Sequence, residues 1–257
     1  KEEKAHTVFL DERIFNNIPL AVSECKRLTG EMAEHARDAI SNSIDVFNNY
    51  NADTVEYIRA QEALMDKYED KLGTYLVHLS NSELGETVSH QIARMLHSIG
   101  DFERMGDHAL NICQLAEEMH EKGIKFSDDA LKEISTVETA ITEIVNMTVD
   151  SFIKDDDELS SHIEPLEEVI DNLKKQLKAK HISRLQKGEC TIELGFIFTD
   201  LLTNFERISD HCSNVAVYTM QLSGEKLDTH KYLSKIKHSA VGNFVDDYNM
   251  YENKYKV

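Results

Sequence analysis

One phrase occurs twice in this chain. Phe102-Glu103-Arg104-Met105-Gly106-Asp107-His108 returns as Phe205-Glu206-Arg207-Ile208-Ser209-Asp210-His211, with Asn111 and Asn214 following at matching distances. The copies stand 103 residues apart, close to half of the 257-residue chain. Duplication at that period means a duplicated structural unit. The repeat runs further. Asp45-Val46-Phe47 finds its partner in Asp150-Ser151-Phe152, and Glu62-Ala63-Leu64-Met65-Asp66 in Glu167-Glu168-Val169-Ile170-Asp171, both at an offset of 105. The fall from 105 to 103 predicts a loop two residues shorter in the second copy, a change that surface connections tolerate. Two homologous halves follow, with a boundary near Lys122-Gly123, and each half carries two Glu-x-x-x-Asp elements.

The periodicity within each half is helical. Met95, Phe102, Met105, Ala109, Ile112 and Ala116 share one face at the three-and-four spacing of an amphipathic helix. Phe198, Leu201, Phe205, Ile208, Cys212 and Val215 repeat the stripe. Leu64, Tyr68, Leu72 and Tyr75 form another on the preceding helix, matched by Leu166, Val169, Leu173 and Leu177. Turn formers break the pattern at equivalent places, Asn48 to Asp53 and Lys154 to Asp157, then Ser80 to Glu83 and Lys187-Gly188. Ser127-Asp128-Asp129 reads as a helix start. Two prolines and ten glycines leave room for long helices. About 30 residues span roughly 45 Å. The predicted fold is all-α: two tandem three-helix bundles with an additional C-terminal helix over Asp228 to Tyr255. The expected division is a lead-in over 1–27, repeats over 28–123 and 124–224, and an extension over 225–257. The length suffices for two small cores.

Composition excludes several functions. Apolar content of 41% and charged content of 29% describe a globular chain. Acids outnumber bases 47 to 28, for a net charge of −19. That balance disfavours nucleic acid and anionic lipid surfaces as partners and favours cations. No apolar run reaches the ~18–20 residues of a bilayer span, so direct bilayer insertion is not expected. There is no signal-peptide pattern, and the sequence opens on Lys1 rather than Met, so a segment of a longer protein is expected. The four cysteines, Cys25, Cys113, Cys190 and Cys212, show no paired spacing and read as buried free thiols.

The acid pairs carry the chemistry. Glu103 and Asp107 lie one helical turn apart, roughly 6 Å along the axis. On the wheel they fall nearly opposite the Phe102 stripe, facing outward, with Asn111 on the same line. Glu206, Asp210 and Asn214 occupy the same angles. Glu62 and Asp66, like Glu167 and Asp171, flank the apolar face of a neighbouring helix. Aligned neighbours would bring two acid pairs together in each half. Four carboxylates in one patch repel unless a cation neutralises them. Oxygen-only ligands suit magnesium, calcium, manganese or ferric iron more than copper, and zinc enters if His108 or His211 turns inward. One such pair alone is ordinary solvation. Four in two register-matched sets, kept while Gly106 and Ser209 or Leu110 and Ser213 diverge, need a cause other than packing. Arg104 and Arg207 could hold an anion, though pairing with Asp101 or a neighbouring acid is favoured. His108 and His211 read as half-exposed hydrogen-bonding groups before they read as ligands.

The duplicated Phe-Glu-Arg-x-x-Asp-His with Asn three residues on, in two three-helix halves, resembles the PhoU family of phosphate regulators over about residues 28 to 222. The resemblance implies two clusters of metal ions (iron, zinc, manganese or magnesium). Their ligands would be Glu62, Asp66, Glu103 and Asp107 in one, and Glu167, Asp171, Glu206 and Asp210 in the other. The flanks, Leu10-Asp11-Glu12-Arg13 with Asn17-Ile18-Pro19-Leu20-Ala21, and His230-Lys231-Tyr232-Leu233 with Tyr248 to Tyr255, look like the C-terminal region of bacterial sodium/phosphate cotransporters. By that resemblance the domain would lie on the cytoplasmic side of the membrane. Its partner would be the membrane-transport portion of the same polypeptide, with homo-oligomer formation left open. Gly106 and Ser209 depart from family members with Gly in both copies.

Three classes of function remain. The first is a non-enzymatic regulatory domain of phosphate transport with metal-bound acidic patches, fused to a cotransporter or standing alone as a PhoU-type regulator. The second is a di-metal oxidase, which needs paired Glu-x-x-His motifs; Glu117-x-x-His120 is the one instance and has no counterpart in the other half. No activated Ser or Cys nucleophile is visible. The third is a helical scaffold without a ligand.

Overall fold

The computed structural model describes residues 12–82, 84–220 and 244–257. Among these, every regular element is helical. One 3-10 turn (Glu12–Asn16) leads into α1 (Ile18–Asn48), α2 (Ala52–Ser80) and α3 (Glu86–Lys122). The second repeat supplies α4 (Asp128–Lys154), α5 (Asp157–Ser161), α6 (Ile163–Gln186) and α7 (Ile192–Met220), and α8 (Phe244–Lys254) closes the chain.

Local chemistry sets the helix ends. Asn17, Asn51, Ser127 and Asp156 are N-caps; their side-chain oxygens accept from the backbone N–H of Leu20 (3.3 Å), Thr54 (3.0 Å), Ala130 (3.4 Å) and Leu159 (2.9 Å). Gly123 ends α3 at φ 64, in the left-handed region that suits glycine. Residues 18–27, expected in the lead-in, belong to α1 instead. The Asn17 cap and Pro19 in the first turn start the helix there.

Two further expectations are corrected. The middle helix of the second repeat is split into α5 and α6 at His162. Pro165 has no N–H, and its ring crowds the carbonyl four residues back, so one helix cannot run through. The two missing residues are not taken from the loop either. The connections 81–85 and 187–191 are equally long, and the shortening falls on the first turn of α7. Of the predicted C-terminal helix, Phe244–Lys254 is observed; residues 228–243, with the flank residues His230 to Leu233 and Leu10-Asp11, lie outside the described residues.

α3 packs on α1 and α2, α7 packs on α4 and α6, and α3 and α7 pack on each other. The two expected cores are therefore one continuous core. All twelve residues of the Phe102 and Phe205 stripes are buried. Aromatic contacts cross between the repeats. Phe102 of α3 meets Phe152 of α4 edge-on at 5.2 Å, and Phe47 of α1 meets Phe126 at 6.2 Å. Arg94 of α3, 6% exposed, donates to the Phe152 carbonyl at 2.7 Å, lies over its ring at 4.5 Å and pairs with Asp155. α8 docks on the second repeat through buried Tyr251 and Tyr255, with Lys254 2.7 Å from Glu143 of α4. No described helix is long and apolar enough to cross a membrane.

The Gly106 and Ser209 difference has a packing cause. A Cβ at Gly106 would lie 2.1 Å from the Met65 methyl and 3.0 Å from its sulfur. The second repeat carries Ser209 with Ile170 at the Met65 position, which lacks the long thioether arm. Gly106→Ser is expected to cost about 1 kcal/mol by overpacking. Adding Met65→Ile should recover most of it in a denaturant double-mutant cycle. Strict additivity would show the two positions uncoupled.

Candidate functional site

The acid pairs are not on an open outer face. The side chains of Glu103 and Asp107 are 14% and 32% exposed, and those of Glu206 and Asp210 19% and 35%. α3 and α7 are each wedged between their own bundle and the other repeat, so neither keeps a face fully opposite its apolar stripe. Glu62, Glu167 and Asp171 are half-buried and Asp66 is exposed.

In the first repeat the charges of the two pairs act on each other between α2 and α3. Burial raises the Glu62 carboxyl above its ordinary range, and the charges of Asp66 on α2 and Asp107 on α3 raise it further. Glu103 is pushed up to about 7, first by burial, then by Asp107, with Glu69 and Asp66 adding and Arg104 opposing. Glu69 is thus a fifth member that the sequence reading did not name. The signal was available: Glu69 lies seven residues after Glu62, two turns along the same helix face.

In the second repeat lysines stand among the acids. Lys174 pairs with Glu206, and Lys175 Nζ lies 2.7 Å from Asp171. Arg104 and Arg207 bond acids of their own motif rather than Asp101: Nη1 to Asp107 and to Asp210, each at 3.1 Å. Burial, then Glu206, raises Asp210, with Arg207 opposing. Among the described residues no three His, Cys, Asp or Glu side chains stand close enough to form a ready metal cage. The first patch offers a hard cation the right donors, but its side chains would have to turn toward one another to close on it.

The histidines of the phrase face the seam between repeats. His211 Nδ1 lies 2.8 Å from Asp101 Oδ1, and Asn214 donates to the same oxygen at 3.1 Å. The mirror arrangement joins His108 Nδ1 to Asn204 Oδ1 at 2.9 Å, with Asn111 donating to that oxygen at 3.3 Å. The Asn204 amide nitrogen donates to the Asp200 carbonyl at 2.9 Å, which turns its oxygen to the seam as an acceptor. The two imidazoles sit 5.6 Å apart. Burial is the main cause that lowers the His108 pKa. Asn111 and Asn214 therefore leave the acid line assigned to them on the wheel. Asp101 and Asn204 were also missed, although they occupy equivalent positions at the 103-residue offset.

Other chemistries find no support in the placement. Glu117 pairs with Arg59 at 2.7 Å, and His120 stacks on Tyr50 at 4.0 Å, so this Glu-x-x-His does not line a metal pair. Cys25, Cys113 and Cys212 are buried, which pushes their thiols up to about 12, 11 and 12; Cys190 is half-buried.

Comparison with known proteins follows the same division into halves. The PhoU domain family model matches residues 29–116 and residues 134–219, one match in each repeat. The chain belongs to the PhoU domain family. It is 27% identical over 124 residues to the phosphate-specific transport system accessory protein PhoU homolog 1 of Thermotoga maritima. That match covers 48% of this chain and about half, 53%, of the relative. The PhoU homolog of Aquifex aeolicus is 24% identical over 224 residues, covering 83% of this chain and 96% of that protein. Among solved structures, PhoU of Streptococcus pneumoniae superimposes with a TM-score of 0.73 at 16% identity, over 82% of this chain and all of that one. PhoU of Pseudomonas aeruginosa gives 0.66 at 17%, over 82% and 97%. These two likenesses establish the PhoU helical-bundle fold.

The Glu103 shift sets a pH dependence. Folding raises this carboxyl from an ordinary 4.5 to about 7, so the folded state holds a proton that the unfolded chain releases. Stability therefore falls as pH climbs through that window. Without added metal, Glu103→Gln should melt above the parent at about pH 8, with the difference closing toward about pH 4. Thermal melts across that range test this; a difference independent of pH would place the strain elsewhere.

Proposed function

We propose that this PhoU-family chain is a non-enzymatic regulator of phosphate transport, and that its first acidic patch takes a hard cation as part of a docking or sensing surface. The observation that carries the cation reading is the convergence of Glu62, Asp66, Glu69, Glu103 and Asp107, whose mutual repulsion helps hold Glu103 near neutrality. A proton or a cation relieves that repulsion. Carboxylate oxygens suit iron, manganese or magnesium. His108 and His211, bonded at the seam, add no nitrogen donor to the patch, so zinc too would be held by carboxylate oxygens. When bound, the ion would supply positive charge and fix the patch; the residues that would hold it are Glu62, Asp66, Glu103 and Asp107.

The names of the Thermotoga and Aquifex relatives, accessory proteins of a phosphate-specific transport system, support the phosphate-transport reading. The near-complete coverage of the Aquifex protein favours a stand-alone accessory regulator over a domain fused to a sodium/phosphate cotransporter. The fused reading rests on the flanking segments alone. In either form the domain would work at the cytoplasmic side of the membrane, with membrane-transport machinery as its partner. The raised thiols and the engaged Glu117 and His120 support the non-enzymatic reading.

Manganese or magnesium should raise the melting temperature over a chelator control. At free ion about 100 times Kd, mass action adds ~2.7 kcal/mol. Glu62→Gln with Asp107→Asn should abolish the rise while the helical circular dichroism stays. A rise that survives both replacements would assign the ion elsewhere.

A further inference from the structure

The second acidic patch does not fit a metal. We propose that the ammonium groups of Lys174 and Lys175 take the place of the ion there, and that the exchange of Glu69 for Lys174 decides which repeat is the cation site. The proposal rests on the cation reading above.

At the offset of 105, Lys174 and Lys175 of α6 correspond to Glu69 and Asp70 of α2. Glu69 reaches α3: its Oε1 lies 3.8 Å from where a Cβ on Gly100 would stand, and its charge acts on Glu103. Lys174 makes the equivalent reach to α7 and bonds Glu206, the counterpart of Glu103. One position across the same helix pair thus adds a negative charge in the first repeat and a positive one in the second. Lys174 and Glu206 are 15% and 19% exposed, so the pair lies inside the patch rather than at its rim. Lys175 holds Asp171, and the charges of Glu168 and Glu167 also favour its ammonium. Arg207 on Asp210 repeats Arg104 on Asp107 and does not separate the two patches; Lys174 on Glu206 and Lys175 on Asp171 do. A metal ion entering here would share those carboxylates with ammonium groups that the chain cannot release.

The exchange is part of a wider change. Residues 172–185 carry Lys174, Lys175, Lys178, Lys180 and Arg184 with no acid, whereas the equivalent 67–80 mixes Lys67 and Lys71 with Glu69 and Asp70. Cation binding would then alter the surface charge of the first repeat alone, and the second would present a fixed face.

Equilibrium dialysis against manganous chloride, with elemental analysis of the intact chain, tests this. Metal bound by wild type should be lost on Glu69→Lys and unchanged on Asp210→Asn. Lys174→Glu with Lys175→Asp should double it, and a melting curve confirms folding. Lys174→Gln, which only removes the ammonium, should also raise occupancy and answers the question if the double variant unfolds. Loss of bound metal on Asp210→Asn overturns the inference and leaves the cation reading standing. So does unchanged occupancy in a folded lysine variant. A wild type that binds no manganese overturns both.

Discussion

The packing of α3 against α7 is the constraint on which the other features depend. It joins the aromatic stripes into one core and closes the seam where His108 and His211 meet. It also turns both acid pairs from an open surface into a half-buried crevice beside α2 or α6. Each residue class in the duplicated phrase serves a different side of these two helices. Phenylalanine fills the core, histidine and the following asparagine bond across the seam, and the acids line the crevice. The surviving identity of the phrase therefore has three causes, and the acids account for only one of them.

The seam is symmetric in geometry and asymmetric in charge. His211 meets the carboxylate of Asp101, whereas His108 meets the amide of Asn204. Two imidazolium groups 5.6 Å apart would repel. Burial and His211 keep His108 toward its neutral form. In both, a shared acceptor oxygen sets the Nδ1–H tautomer, so the rings are oriented by hydrogen bonds rather than left free.

What the sequence made legible was local. Helical stripes, the turn over Asn48 to Asp53, the helix start at Ser127 and the end of α3 at Gly123 depend on residues within a turn or two of each other. The break at His162 was legible in the same way, from Pro165, but the strong stripe of Leu166, Val169, Leu173 and Leu177 read as one helix. The half-burial of Glu103 and the turn of Asn111 toward α7 were not legible. A helical wheel shows which residues share a face and says nothing about how many faces neighbours will cover. The reach of Lys174 to Glu206 is likewise a contact between helices, invisible until α6 lies against α7.

Duplication explains why the halves agree where they do. Seam residues of each copy touch the other copy, so a change on one side meets its mirror image at once. Residues between α2 and α3, or between α6 and α7, touch only their own repeat. Those pairs are free to drift together, as Gly106 with Met65 and Ser209 with Ile170 have done by exchanging volume. Glu69 and Lys174 have exchanged charge under the same freedom. A fused pair can let one crevice gain lysines from within while the other keeps Glu69, and a single-repeat chain assembling as a symmetric dimer would have to change both crevices together.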